Sequence, residues 1–338
     1  MTIRSLAAPL TLATALILAN CGTDGDTVQS SDGPTVLASF YPLAFAAERV
    51  AGADANVINL AQPGADAHDM ELTARQVGQV TDSDLVLYLH GFQPAVDEAI
   101  EQNAGHALDV ADVLELLPTD GDHDHEHGNE DEHADDEHSH EDDGDEHEDE
   151  HGDEHADESD HAHDLDGDPH VWLDPANLTA IAEALADELA EIAPENADAF
   201  HDRAHELAEE LSALDDEYAT GLADCERHTF VTSHAAFAYI AEKYGLEMVG
   251  IAGIDPEAEP APARLAEVQE IVEDERITTI FYERLVSPAV AESLANDVGV
   301  TTAVLDPIEG LTDETVDEDY FSLMRANLDA LREANGCA

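Results

Sequence analysis

A long run with almost no apolar side chains lies near the middle of the chain and constrains the fold most strongly. Residues 119–168, which we call the histidine-rich insertion, contain 26 of the 80 acidic residues together with many histidines. So little apolar surface cannot offset the entropy lost on ordering, so we expect this segment to be disordered. The core must therefore come from the sequence on either side, and we expect ordered structure to resume at His170.

The histidine-rich insertion carries eleven of the 19 histidines of the chain. Such segments bind metal ions weakly, through changing sets of imidazoles. Dense histidine favours zinc, copper or nickel, whereas carboxylates alone would suit calcium. The alternative interpretation is a solvated acidic linker. The candidate auxiliary ligands are His123, His125, His127, His133, His138, His140, His147, His151, His155, His161 and His163.

Short apolar strands alternate with helical segments on both sides of the insertion. This alternation predicts an α/β fold class, with parallel-type sheets covered on both faces and arranged in two lobes. The strands are predicted at 36–40, 57–60 and 85–89 before the insertion, and at 229–232, 248–251, 277–282 and 301–305 after it.

Two long helices are predicted between the lobes. The first keeps one apolar face from Pro175 until Pro194 breaks it. The second, at 195–222, would be about 40 Å long at ~1.5 Å per residue, which suits a rigid strut between two lobes. His201 and His205 are four residues apart on this helix, a spacing that can bind zinc, but their acidic neighbours favour a solvated face.

The N-terminus is typical of an exported protein. Arg4 precedes an apolar run at 6–19 that is shorter than the ~20 residues of a membrane-spanning helix, which indicates a secretory signal. The sequence around Cys21 resembles a bacterial lipobox, in which this cysteine would be lipidated after cleavage; Asn20 stands where a small residue is usual. A plain signal peptide cleaved elsewhere is the alternative.

These patterns predict five segments in the chain. They are a signal peptide at 1–20, a flexible tether at 21–34, an N-terminal α/β lobe at 35–174 that includes the histidine-rich insertion, a helical region with the linking helix at 175–222, and a C-terminal α/β lobe at 223–338.

The charge of the chain excludes one class of partner. Its 80 Asp and Glu residues stand against 11 Lys and Arg, and 54 of the carboxylates lie outside the insertion. A phosphate backbone would be repelled by such a surface, so nucleic acid is not an expected partner, whereas metal cations are.

The cysteines suggest a cross-link. If Cys21 carries a lipid, Cys225 and Cys337 remain, and an even pair in an exported protein suggests a disulfide. This bond would join the end of the chain to the start of the C-terminal lobe. Two free thiols are the alternative.

Several candidate ligands stand where a cleft is expected. In parallel sheets, ligands bind beyond the carboxyl ends of the strands. His68 lies in the loop after the second predicted strand, with His90 and His106 as rivals. In the C-terminal lobe, three candidate residues end strands: His234, Glu283 and Asp306.

Five motifs together resemble those of the zinc-binding proteins of bacterial ABC importers, the ZnuA type. They are GADAHD at 64–69, DPHVWLDP at 168–175, TSHAAF at 232–237, GIDPEAEP at 253–260 and LDPIEGL at 305–311. The resemblance implies two α/β lobes joined by a rigid helix, with the metal held in the cleft between them. It also implies a monomer outside the cytoplasm that delivers Zn²⁺ to a membrane permease with a cytoplasmic ATPase.

The resemblance also implies a ligand set. His68, His170 and His234 match the imidazole ligands, and Asp306 matches the carboxylate of some members. Other members use a glutamate just before the first histidine, where this chain has Ala67.

The chemistry of this ligand set favours zinc. Three imidazoles with one carboxylate or water form a tetrahedral site suited to Zn²⁺, whereas Mn²⁺ favours more oxygen ligands. A manganese-specific member of the same class is one alternative, and a zinc-dependent surface adhesin is another. A zinc hydrolase could also use three histidines, but we find no matching nucleophile or general-base motif.

Overall fold

The structure is a computed structural model that describes residues 33–119, 165 and 167–338. These residues belong to one compact unit, Ser31–Ala338. The predicted signal peptide, Cys21, the tether up to residue 32 and all eleven histidines of the insertion lie outside the described residues. Within the described ranges, no helix is both long and apolar enough to cross a membrane.

The first sheet has four parallel strands in the order β2-β1-β3-β4. Val36 and Leu85 are fully buried, as expected for strands covered by helices on both faces. The strands are β1 (Thr35–Ala38), β2 (Asn56–Asn59), β3 (Leu85–Tyr88) and β4 (Ala107–Asp109); the helices between them are α1 (Tyr41–Ala51), α2 (Ala74–Asp82) and α3 (Pro94–Asn103).

Two packed helices follow the insertion. Helix α4 (Pro175–Ile192) begins at Asp174, whose carboxylate accepts a hydrogen bond from the Ala176 amide at 2.7 Å. Pro194 starts a short 3-10 turn, after which α5 (Ala197–Gly221) runs for 25 residues and packs along α4. His201 and His205 lie on its outer side, where their side chains are 48% and 76% exposed.

The second sheet repeats the topology of the first, in the order β6-β5-β7-β8. The prediction of an α/β fold with two parallel sheets is therefore confirmed. The strands are β5 (Thr229–Thr232), β6 (Glu247–Gly250), β7 (Thr279–Tyr282) and β8 (Thr301–Val304); the helices are α6 (Ala238–Tyr244), α7 (Pro262–Asp274), α8 (Ala289–Val298) and α9 (Tyr320–Asn335).

The C-terminus is fastened to the segment that follows α5. Cys337 and Cys225 are joined by a disulfide. Backbone hydrogen bonds reinforce the contact, because Arg227 N donates to Asn335 O at 3.0 Å and Ala338 N donates to Asp224 O at 3.0 Å.

Ordered structure resumes before His170, which corrects the predicted end of the insertion. Asp168 is only 2% exposed, and its amide donates to Leu117 O at 2.7 Å. Asp168 is acidic, like much of the insertion. It is nevertheless buried, because it contacts Leu117 on the N-terminal side of the insertion.

Candidate metal centre

Three imidazoles and one carboxylate meet where the carboxyl ends of the two sheets face each other. His68, His170, His234 and Glu309 each offer one donor atom, and these atoms all lie within 4.8 Å of one another. His170 Nε2 lies 3.3 Å from His234 Nε2 and 3.3 Å from Glu309 Oε1. Four donors ~2.1 Å from one ion at tetrahedral angles would be about 3.4 Å apart. The spacing therefore fits a small tetrahedral cation.

His68 is held by the loop that follows β2. Its backbone amide donates to Asp66 Oδ1 at 2.8 Å, and Gln93 Nε2 donates to Ala67 O at 3.1 Å. The ring packs edge-on against Phe92, with 4.6 Å between the ring centroids. These contacts leave His68 Nε2 facing Glu309 Oε1 at 3.3 Å.

His170 lies between the insertion and a 3-10 turn at Val171–Leu173, and it is fully buried. Asp168 Oδ1 accepts hydrogen bonds from His170 Nδ1 at 2.7 Å and from the His170 amide at 2.9 Å. A carboxylate on Nδ1 keeps the proton there and leaves Nε2 free to bind a metal.

His234 follows β5 and has the same arrangement. Its Nδ1 donates to Glu283 Oε1, which also accepts from the Ser233 hydroxyl. His234 and Glu283 are 0% and 3% exposed. Glu283, predicted to lie at a strand end in the cleft, therefore orients a histidine ring and is not part of the four-residue group.

The structure places Glu309, and not the predicted Asp306, among the three histidines. Asp306 Oδ1 accepts from Ile308 N at 2.8 Å, and Asp306 Oδ2 lies 3.2 Å from Arg284 Nε. Ile308 has a left-handed φ of 61°, a conformation that is costly for a β-branched residue and must be held by its surroundings. This turn carries the chain past Asp306 and directs Glu309 inward.

Two further contacts brace the turn that carries Glu309. Trp172 Nε1 donates to Pro307 O at 2.7 Å, and Asn327 hydrogen-bonds to both backbone polar groups of Asp306. Both Trp172 and Asn327 are buried. The chain segments that hold the carboxylate in place thus lie far from it in sequence.

Without metal, the centre retains a proton. Burial opposes protonation of His170, but the adjacent Asp168 and Glu309 carboxylates outweigh it and raise its pKa to about 9. Burial also disfavours ionised Glu309, but hydrogen bonds from His170 and His68 dominate and lower its pKa well below the usual range. A cation entering at neutral pH must displace the proton on His170.

Of the four residues of the centre, only His68 reaches the protein surface. Its side chain is 15% exposed, whereas those of the other three residues are 0–3% exposed. His68 borders a cavity of about 690 Å³ whose walls include Asp69, Glu71, Asp255 and Glu257. A cation would therefore approach through an acidic cavity and meet His68 first.

The rival histidines lie outside the centre. His90 Nδ1 is 3.5 Å from Asp97 Oδ1, and His106 Nε2 is 2.7 Å from Glu188 Oε2. Their side chains are 45% and 41% exposed. Both form surface contacts with carboxylates, and neither belongs to the four-residue group.

Comparisons with known proteins identify the family of the chain. The family model for ZnuA, described as zinc-uptake complex component A, periplasmic, matches residues 36–334. The zinc-binding lipoprotein AdcA of Streptococcus pneumoniae is 33% identical over 330 residues, which cover 94% of this chain and 58% of that protein. The high-affinity zinc uptake system protein ZnuA of Bacillus subtilis is 29% identical over 328 residues, covering 94% of both chains.

A solved structure has the same fold. Zn(II)-bound AdcA from Streptococcus pneumoniae superposes with a TM-score of 0.68 at 31% identity, covering 90% of this chain and 58% of that one. The present chain thus spans little more than half the length of the pneumococcal relative.

Proposed function

Because the chain belongs to the ZnuA family, we propose that it is an extracytoplasmic binding protein that captures Zn²⁺ with high affinity and delivers it to an ABC permease. In this proposal His68, His170, His234 and Glu309 bind the ion, and a lipid on Cys21 anchors the protein to the outer face of the cell membrane. The meeting of three imidazole nitrogens and one carboxylate oxygen, all within 4.8 Å of one another, carries the proposal, because this donor set suits a tetrahedral zinc site.

The same donor set favours zinc over manganese, and binding over catalysis. Mn²⁺ prefers oxygen-rich sites, whereas three of these four donors are nitrogen. A catalytic zinc site keeps one position open for water, but here Glu309 fills the fourth position. The arrangement supports a cargo site that encloses its ion.

The proposed function is tested by metal analysis of the protein purified from cells, followed by competitive titration with Zn²⁺ and Mn²⁺. We expect one tightly held zinc per chain and displacement of manganese by equimolar zinc. Tighter binding of manganese, or no tight zinc site, would contradict the proposal.

Glu309→Gln is expected to weaken tight zinc binding by about tenfold or more, because a neutral amide replaces the charged ligand. Asp306→Asn is the matched control: its amide oxygen can still accept from Ile308 N, so we expect a change of less than about threefold. Chelator competition measures both affinities. A larger loss in Asp306→Asn than in Glu309→Gln would favour Asp306 as the ligand.

Zinc affinity is expected to rise with pH up to about 9. Below this pKa the metal-free centre holds a proton on His170, and zinc must release it. The affinity should change by about tenfold per pH unit between ~6.5, the ordinary imidazole pKa, and 9. Calorimetry in buffers of different ionisation enthalpy counts the released protons. No proton release at pH 7.5 would contradict this assignment.

The same raised pKa affects the stability of the metal-free protein. Protonated His170 stabilises the fold fully below ~6.5, and this contribution is lost as the pH rises through about 9.

Replacing residues 120–164 with a short Gly/Ser linker is expected to lower the number of zinc ions bound while leaving one tight site. The four proposed ligands lie outside the replaced segment, so the tight site should remain, whereas histidine-rich segments bind metal ions only weakly. Calorimetry gives the stoichiometry of both proteins. Loss of the tight site from a folded shortened chain would show that the insertion supplies a ligand.

A further inference from the structure

The two ends of the histidine-rich insertion meet beside the metal centre. Asp168 N donates to Leu117 O at 2.7 Å, which joins the outgoing and returning chain. A Cβ on Gly167 would lie 2.8 Å from Leu117 O and 2.6 Å from Leu116 Cβ, so the two segments approach this closely only because glycine has no side chain. We call the contact of Leu117 and Asp168 the neck.

One hydroxyl group bridges both sides of the neck. Tyr239 Oη accepts a hydrogen bond from Leu117 N at 3.1 Å and donates one to Asp168 O at 2.9 Å. Tyr239 is 4% exposed and lies on α6, shortly after the segment that carries His234. It therefore connects the neck to the chain segment of a second proposed ligand.

The neck directly supports the metal centre through Asp168. The same residue that bonds to Leu117 and Tyr239 through its backbone accepts the Nδ1 hydrogen bond of His170 through its carboxylate. A displacement of Asp168 would release the His170 ring, and a partner on the distal nitrogen is what orients a metal-binding imidazole.

We propose that Tyr239 is a positioning residue for the metal centre. Its hydroxyl keeps Leu117 and Asp168 in contact at the neck. The closed neck in turn holds Asp168 against His170, independently of the intervening insertion. This role rests on the proposed function, because it requires His170 to bind zinc.

The length of the insertion determines how much the hydroxyl matters. Closing a flexible loop becomes less favourable as about the three-halves power of its length. The neck closes a loop of 50 residues, 118–167. Replacing 120–164 with about six residues shortens this loop to about 11 and should therefore favour a closed neck by roughly tenfold. Loss of the Tyr239 hydroxyl should harm the full-length chain and be tolerated in the shortened one.

The test is a double-mutant cycle that combines Tyr239→Phe with the linker replacement of 120–164. We expect Tyr239→Phe to weaken tight zinc binding by about three- to tenfold in the full chain, because the part-buried Leu117 amide and the buried Asp168 carbonyl lose their partner. In the shortened chain we expect less than about twofold. Tyr244→Phe is the matched control: it removes a hydroxyl from the same helix, one that donates to Asp215 at 2.6 Å. Its zinc affinity should be unchanged.

Amide exchange of Leu117 gives a second measurement that needs no zinc. Its protection should fall in Tyr239→Phe and persist in Tyr244→Phe. Wild-type zinc affinity in the full-length Tyr239→Phe chain would overturn the proposal, as would an equal loss at both chain lengths, which would indicate a packing role only. If the unaltered chain has no tight zinc site, the proposed function itself fails.

Discussion

Replacing His170 with alanine is expected to lower tight zinc affinity by more than about a hundredfold. Losing a partner that only orients a metal ligand already costs ~10–100-fold, and removal of the ligand itself should cost more. His170 is fully buried, and its Nε2 lies 3.3 Å from the nearest donors of both His234 and Glu309. A water molecule that took the place of the His170 ring would not be held by the contacts that enclose the buried imidazole. Chelator competition at pH 7.5 measures the affinity.

The matching variants His68→Ala and His234→Ala should show losses of the same order. His205→Ala is the control, since its side chain is 76% exposed and lies outside the four-residue group. The control separates loss of a ligand from the general effect of removing a histidine from a very acidic chain. Wild-type affinity in all three ligand variants would rule out this site.

Removing the cross-link by the double substitution Cys225→Ser and Cys337→Ser is expected to lower the free energy of unfolding by roughly 4–5 kcal/mol in the chain-entropy model. The bond closes a loop with a sequence separation of 112 residues, and closing a loop of this length greatly restricts the unfolded chain. Urea denaturation of the metal-free proteins measures the difference.

Zinc stoichiometry gives the control for this variant. Neither cysteine belongs to the metal centre, so the folded double variant should still bind one tight zinc. Mass spectrometry of the unreduced wild-type protein tests the pairing directly. Two free thiols, or equal stability of the two proteins, would refute the expectation.

The repeating strands and helices could be predicted because their signals are local. Apolar runs such as Leu85–Tyr88 and the periodic face of α4 require no knowledge of distant residues. The exception in the first sheet is β4, which no sequence pattern predicts. It has only three residues, and Ala107 is exposed, so it lacks the apolar pattern of a buried strand. It is recognisable only by its pairing with β3.

The start of α6 shows the same limit. The stretch 235–244 after β5 has a helical pattern and predicts a helix from Ala235, whereas the helix begins at Ala238. Ala235 N donates instead to Gly253 O at 2.8 Å, in the loop after β6. A tertiary hydrogen bond thus takes the place of the first helical turn, and the chain bends at 233–235 before the helix begins.

By itself, the sequence determined the α/β class, because its strands and helices have clear local patterns. The three histidines that meet were identified by the motifs that resemble the ZnuA family, since local position left His90 and His106 as alternatives to His68. Only the tertiary structure decided which carboxylate lies among the three histidines. Asp306 and Glu309 are three residues apart in one motif, and both could be a ligand. The choice depends on a left-handed turn at Ile308, held by contacts from Trp172, Arg284 and Asn327. Because these residues come from other parts of the chain, no local pattern could reveal which carboxylate faces the three histidines.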